Sequence, residues 1–149
     1  MDQIEFPSKE TWEKRREWFE QKFDVDAHGG SFILGEHATA LLVDLQAIYC
    51  AGAFVSVVII SCAVIDAHLR EIELPHNFGG GMKAAFTHSA FGVELDWLRQ
   101  LRNALVHWSA RNHAALSVDD HYSNRAVHEK EAQRAICVVA AVLFENPWI

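Results

Sequence analysis

Arg99, Arg102, Asn103 and His107 fall within one short stretch, Leu98-Arg99-Gln100-Leu101-Arg102-Asn103-Ala104-Leu105-Val106-His107-Trp108, where an apolar helical pattern carries polar side chains on its other side. Arginine holds a phosphate through a planar fork of donors. Histidine can take or give a proton near neutral pH. Asparagine can orient either of them. Together these types could grip and cleave a phosphodiester without a metal. A solvated helix face usually carries Glu and Lys in i, i+4 pairs, whereas neither occurs between Asp96 and His107.

With each residue about 100° further round a helix and Arg102 at zero, Arg99 lies near 60°, Asn103 near 100°, Asp96 near 120°, His107 near 140° and Gln100 near 160°. Ala104, Trp97, Trp108, Leu101, Leu105 and Leu98 share the opposite arc. One face is therefore core and the other a polar strip, with Val106 its only apolar member. On an unbroken helix, Arg102 and His107 diverge by about 140° and stand about 7.5 Å apart along the axis.

The elements that must position this strip read as helices. Pro7-Ser8 starts the first, with Ser8 as N-cap and Glu10 in the first turn. Trp12, Phe19 and Phe23 form its stripe, and it ends near Asp24 at the turn-rich run Asp26-Ala27-His28-Gly29-Gly30-Ser31. From Gly35 to about Glu73 there is one internal glycine and no proline, which predicts one long helix or two nearly continuous ones, stopped at Leu74-Pro75. The run Val55 to Ile60 would also suit a buried strand, but no second alternating segment exists to pair with it. A short helical segment, Met82 to Ser89, precedes the motif helix, Val93 to Ala110. Residues Arg111 to Tyr122 read as loop, and a last helix spans Ser123 to Phe144, ended by Pro147. No repeat or linker divides the chain, so residues 1–149 form a single domain.

The segment Leu101-Arg102-Asn103-Ala104-Leu105-Val106-His107 resembles the signature of HEPN domains, an arginine and a histidine separated by four to six residues. The asparagine directly after the arginine is the commonest form of that signature. The run from Tyr49 to Arg70 is similar to the family's long preceding helix, with Asp66 in the place of its acidic residue. The resemblance covers about residues 38 to 145 as an order of helices; residues 1–34 lie outside it.

The resemblance implies an all-α bundle of about five helices around a long central apolar helix. It also implies a homodimer whose motif helices face each other, and a metal-independent endoribonuclease of the toxin or phage-defence kind, with no cofactor. The divergence of Arg102 from His107 supports the need for a second copy. In such a cleft His107 would exchange the protons, Arg102 would hold the non-bridging oxygens, and Asn103 would orient phosphate or imidazole. Asp66 would fix Arg102 or His107, with Arg99 and Asp96 in support. The products would be a 2′,3′-cyclic phosphate and a 5′-hydroxyl. RNA is the implied substrate, and a minimal nucleotidyltransferase antitoxin the implied protein partner. A non-catalytic dimer binding nucleotide or protein through the same cleft is the alternative.

Composition narrows the rest. A chain of 149 residues with 50% hydrophobic residues can bury a substantial core. Its net charge of -7 argues against a broad basic surface for long nucleic acid, though not against a short or transient RNA contact. Cys50, Cys62 and Cys137 sit in apolar stretches and read as reduced core residues of a cytoplasmic protein, and Met1 to Lys22 lacks the pattern of an export signal. Leu45 to Ile65 contains no charged residue and reaches the ~20 residues of a membrane span. Without flanking Lys/Arg or an aromatic belt, it reads instead as a buried central helix. The run Gly79-Gly80-Gly81-Met82-Lys83 lacks phosphate-loop spacing. His113, His121 and His128, with Asp119 and Asp120, lack the spacing of a zinc site.

Overall fold

The computed structural model describes residues 6–107 and 116–147. Five helices of 14 to 19 residues carry the architecture: α1 (Lys9–Lys22), α3 (Glu36–Ala51), α4 (Phe54–His68), α6 (Gly92–Val106) and α8 (Arg125–Leu143). The short helices α2 (Val25–His28), α5 (Met82–Phe86) and α7 (Val118–Ser123) lie between them. No β-strand occurs among the described residues, so the fold is all-α and Val55 to Ile60 belongs to α4.

The sequence marks several boundaries that the structure keeps. Ser8 caps α1, its Oγ accepting from the Thr11 N–H at 3.1 Å. Phe19 turns into the core beside Phe23 and Tyr49, while Trp12 stays at 36% exposure. After α1 the turn-rich run contains a single helical turn, α2, because Asp24 accepts from the Asp26 N–H and Gly29 closes it at φ 71°.

Gly52 decides the central question of one helix or two. Its φ of 80° lies in the left-handed region, where glycine pays no Cβ penalty. The Gly52 N–H bonds to the Tyr49 carbonyl at 3.0 Å and the Ala53 N–H to the Ile48 carbonyl at 2.9 Å, the Schellman pattern that ends a helix. Arg15 Nη1 donates to the Cys50 carbonyl and Arg125 Nη2 to the Gly52 carbonyl, and both guanidiniums lie over the Phe54 ring. The uncharged stretch is thus two helices, α3 and α4, packed on each other. No helix among the described residues is long and apolar enough to cross a membrane.

Helix α4 is the centre of the bundle, packed chiefly against α3 and α8 and then against α6. Val57, Val58, Cys62, Val64 and Ile65 are essentially inaccessible, and Leu45, Leu95, Leu98, Ile136 and Val139 close around them. After His68 the chain widens into a π-helical turn, Leu69–Glu73, before Leu74-Pro75. That turn delivers Glu71 to the start of α3, where its carboxylate accepts from the His37 and Ala38 N–H groups at 3.2 and 3.1 Å.

The start of α6 is fixed from the far end of the chain. Glu145, just beyond α8, accepts from Ser89 Oγ and from the Ala90 N–H, both at 2.6 Å. Residues 118–122, read from sequence as loop, belong to α7. Ser117 and Asp120 there form a reciprocal capping box that offsets the cost of a short helix. Cys137 is a second correction: Cys50 and Cys62 are buried, but Cys137 lies on the exposed side of α8.

Candidate active site

Helix α6 buries Leu95 and Leu98 completely and Leu101 and Leu105 in part, which leaves Arg102 and Asn103 half-buried at the surface. Cys62 of α4 donates weakly to the Leu98 carbonyl at 3.8 Å, so α6 sits directly on the central helix. Burial pushes the Cys62 thiol up to about 12, against the opposing charges of Arg102 and Arg99. It is packing, with no thiolate to offer as a nucleophile.

The helix stops one residue before His107. His107 still donates its backbone N–H to the Asn103 carbonyl at 3.0 Å, but its own backbone is extended, with φ -106° and ψ 109°. The imidazole therefore leaves the helical path instead of lying about 140° round from Arg102. Arg102 Nη1 lies 3.5 Å from His107 Nε2 and donates to Asn103 Oδ1 at 3.0 Å. The expected divergence of arginine and histidine is corrected: one chain brings all three side chains together. The expected extension of the helix to Ala110, and Trp108 on its apolar arc, lie outside the described residues.

A guanidinium has no acceptor capacity, so Arg102 can only be the donor at that contact. A separation of 3.5 Å is at the outer edge of hydrogen bonding. Arg102 makes no ion pair among the described residues, and its Nε and Nη2 have no hydrogen-bond partner there. His107 is exposed beside it.

Asp66 does not complete this group. Its Oδ2 accepts from Arg70 Nε at 2.9 Å, while Arg70 Nη2 reaches the Gly80 carbonyl at 2.8 Å and the guanidinium lies 5.6 Å from the Phe78 ring. Asp66 thus ties the glycine-rich loop to α4 through Arg70 and holds neither Arg102 nor His107. The i, i+4 spacing of Asp66 and Arg70 was the signal available in the sequence.

Arg99 and Asp96 are brought together, one turn before Arg102. Arg99 Nη2 donates to Asp96 Oδ1 at 2.6 Å and Gln100 Nε2 to Asp96 Oδ2 at 2.5 Å. The Arg99 hydrogen bond, aided by Gln100 and by the charges of Arg99 and Lys83, outweighs burial and holds the Asp96 carboxyl below its usual range. Asp96 and Arg99 border a cleft of about 200 Å³ between α5 and α6, lined also by Lys83, Phe86, Thr87 and Gly92. Lys83 was missed in the sequence, where nothing links α5 to the motif.

On the opposite side of α6, the Arg134 guanidinium stacks 3.8 Å from the Trp97 ring and braces α6 against α8. The rings of His121 and His128 stack at 6.1 Å, and no group of three or more possible metal ligands occurs among the described residues. His113 lies outside them. No protein-family model matches the chain, and no characterised protein or solved structure matches it significantly.

Proposed function

We propose that this chain is a metal-independent endoribonuclease of the HEPN kind, acting as a homodimer. The observation that supports it is the pairing of Arg102, a half-buried guanidinium without a carboxylate partner among the described residues, with the exposed imidazole of His107. Among the described residues, Arg15, Arg16, Arg70 and Arg99 each pair with an acid. An arginine that faces a histidine instead has its charge available for an anion.

In the proposed reaction a His107 imidazole takes the proton of the ribose 2′-hydroxyl, and O2′ attacks phosphorus. The bond from phosphorus to O5′ breaks, and a second histidine, in its imidazolium form, gives a proton to O5′ and is left neutral. The products are a 2′,3′-cyclic phosphate and a 5′-hydroxyl. Arg102 turns Nε and Nη2 to the non-bridging oxygens, where charge grows in the transition state. Asn103 holds Nη1 of Arg102 and so limits the directions of the fork.

The reason for a dimer differs from that suggested by the helical wheel. Arginine and histidine already meet within one chain, but one imidazole cannot act as base and acid in the same step. A second copy, related by a twofold axis, supplies the other His107. Cleavage of the cell's own RNA would require restraint, and the HEPN resemblance makes a minimal nucleotidyltransferase antitoxin the partner for that task.

The test is cleavage of a single-stranded RNA by the purified protein in EDTA, with end-group analysis. Loss of a general acid or base costs roughly 10²- to 10⁴-fold, so His107→Ala and Arg102→Ala should each fall to near background. An inactive parent that binds RNA or nucleotide would favour the non-catalytic dimer; equal activity in parent and variants would remove the mechanism.

A further inference from the structure

The cleft between α5 and α6 lies on the same side of α6 as Arg102, one helical turn towards its N-terminus. Arg99 precedes Arg102 by about 4.5 Å of rise and about 60° of rotation. The cleft mouth carries Lys83 on α5 and Arg99 on α6, with Thr87 and Gly92 between them. Lys83 is exposed and makes no hydrogen bond or ion pair among the described residues. Arg99 is 21% exposed and spends only Nη2 on Asp96, which fixes the direction of its remaining donors. With one carboxylate against two cations, the cleft keeps a positive charge on a protein whose sum is strongly negative.

We propose that this cleft is a phosphate subsite: Lys83 and Arg99 bind the backbone phosphate of the nucleotide next to the one held by Arg102. The inference rests on the ribonuclease reading and deepens it. Two phosphates one nucleotide apart, one held by Arg102 and the next by Arg99 of the same helix together with Lys83 of α5, suit an extended single-stranded segment. Recognition of an RNA duplex would call for contacts across successive grooves, and the low count of cations on this chain does not provide them. Asp96 then has a positioning role, holding Arg99 towards the cleft. Its own fixed charge limits the subsite to a single phosphate.

The experiment compares the parent with Lys83→Glu, an exposed position where the substitution leaves packing intact. Binding of a non-cleavable 2′-O-methyl oligonucleotide is read by fluorescence anisotropy across a salt series, and cleavage of the matching RNA is read by KM and kcat. Expected is a Kd weaker by about tenfold, with the log-log salt slope shallower by about one, the signature of one lost phosphate contact. KM should rise far more than kcat changes. Equal affinity and equal salt slope in parent and Lys83→Glu would overturn the subsite even if the parent cleaves RNA. A parent that binds the oligonucleotide through Lys83 but cleaves nothing keeps the subsite and overturns the nuclease. A parent that does not bind the oligonucleotide overturns the subsite as well.

Discussion

Arg102 Nη1 lies 3.5 Å from His107 Nε2 because the backbone turns extended at His107, one residue past the end of α6. The contact makes the arginine's geometry as important as its charge. In the proposed reaction, Arg102→Lys should therefore fold normally yet lose most of the proposed cleavage activity, since an ammonium on a flexible stem cannot hold two phosphate oxygens and Asn103 together. Circular dichroism and RNA cleavage measured on the same preparation check this. Activity within a few fold of the parent would show that only charge matters.

The exit of His107 from the helix was not legible in the sequence. Neither glycine nor proline follows Val106, and Trp108 continues the apolar period, so pattern alone carries the helix onward. Other features were open to reading: Ser8 as a cap, Gly52 as the single glycine in a long apolar run, the apolar arc of α6. What sequence could not supply were contacts made across long separations. Glu145 on Ala90, Glu71 on Ala38 and Lys83 beside Arg99 each depend on how distant helices pack. Asp66 is different, because its partner Arg70 stands one turn away on the same helical run, a spacing the sequence itself displays.

That assignment of Asp66 predicts a stability effect where the resemblance implied a catalytic one. Asp66→Asn leaves Arg70 without its carboxylate and weakens the tether to the Gly80 carbonyl. A partly buried charged hydrogen bond of this kind contributes about 1 to 3 kcal/mol. Urea denaturation should show the loss, while kcat of the folded fraction stays within about twofold, far below the effect expected of a general acid or base. A fall in kcat comparable to that of His107→Ala would return Asp66 to the reaction.

Glu71 and Gly35 should behave as one unit at the start of α3. A Cβ on Gly35 would stand 2.3 Å from the Glu71 carboxylate, so Gly35→Ala must push the capping group away from the His37 and Ala38 N–H groups. Glu71→Ala removes the same cap. Each single substitution should cost about 1 kcal/mol, as capping losses do. The double substitution should cost little more than either alone. Full additivity in a double-mutant cycle would show that Gly35 acts through its backbone instead.

His68 sets the direction of acid sensitivity. Its side chain is 4% exposed, its Nδ1 is buried with no hydrogen-bond partner among the described residues, and Nε2 lies 3.9 Å from Glu73 Oε1. Burial pushes the imidazole below its ordinary value of 6.5, against the opposing charges of Glu73, Glu145 and Glu71. The unfolded chain then binds a proton that the folded chain resists, so unfolding gains protons over the window between the lowered folded pKa and 6.5. The contribution of neutral His68 is fully present above the unfolded value. It declines as pH falls through 6.5 towards the folded pKa, below which both states are protonated and the loss is complete. His68→Gln, which cannot take up that proton, should flatten the stability profile as pH falls through 6.5 relative to the parent. Thermal melts across that pH decide the matter, and parallel profiles for the two proteins would assign the acid response to other groups.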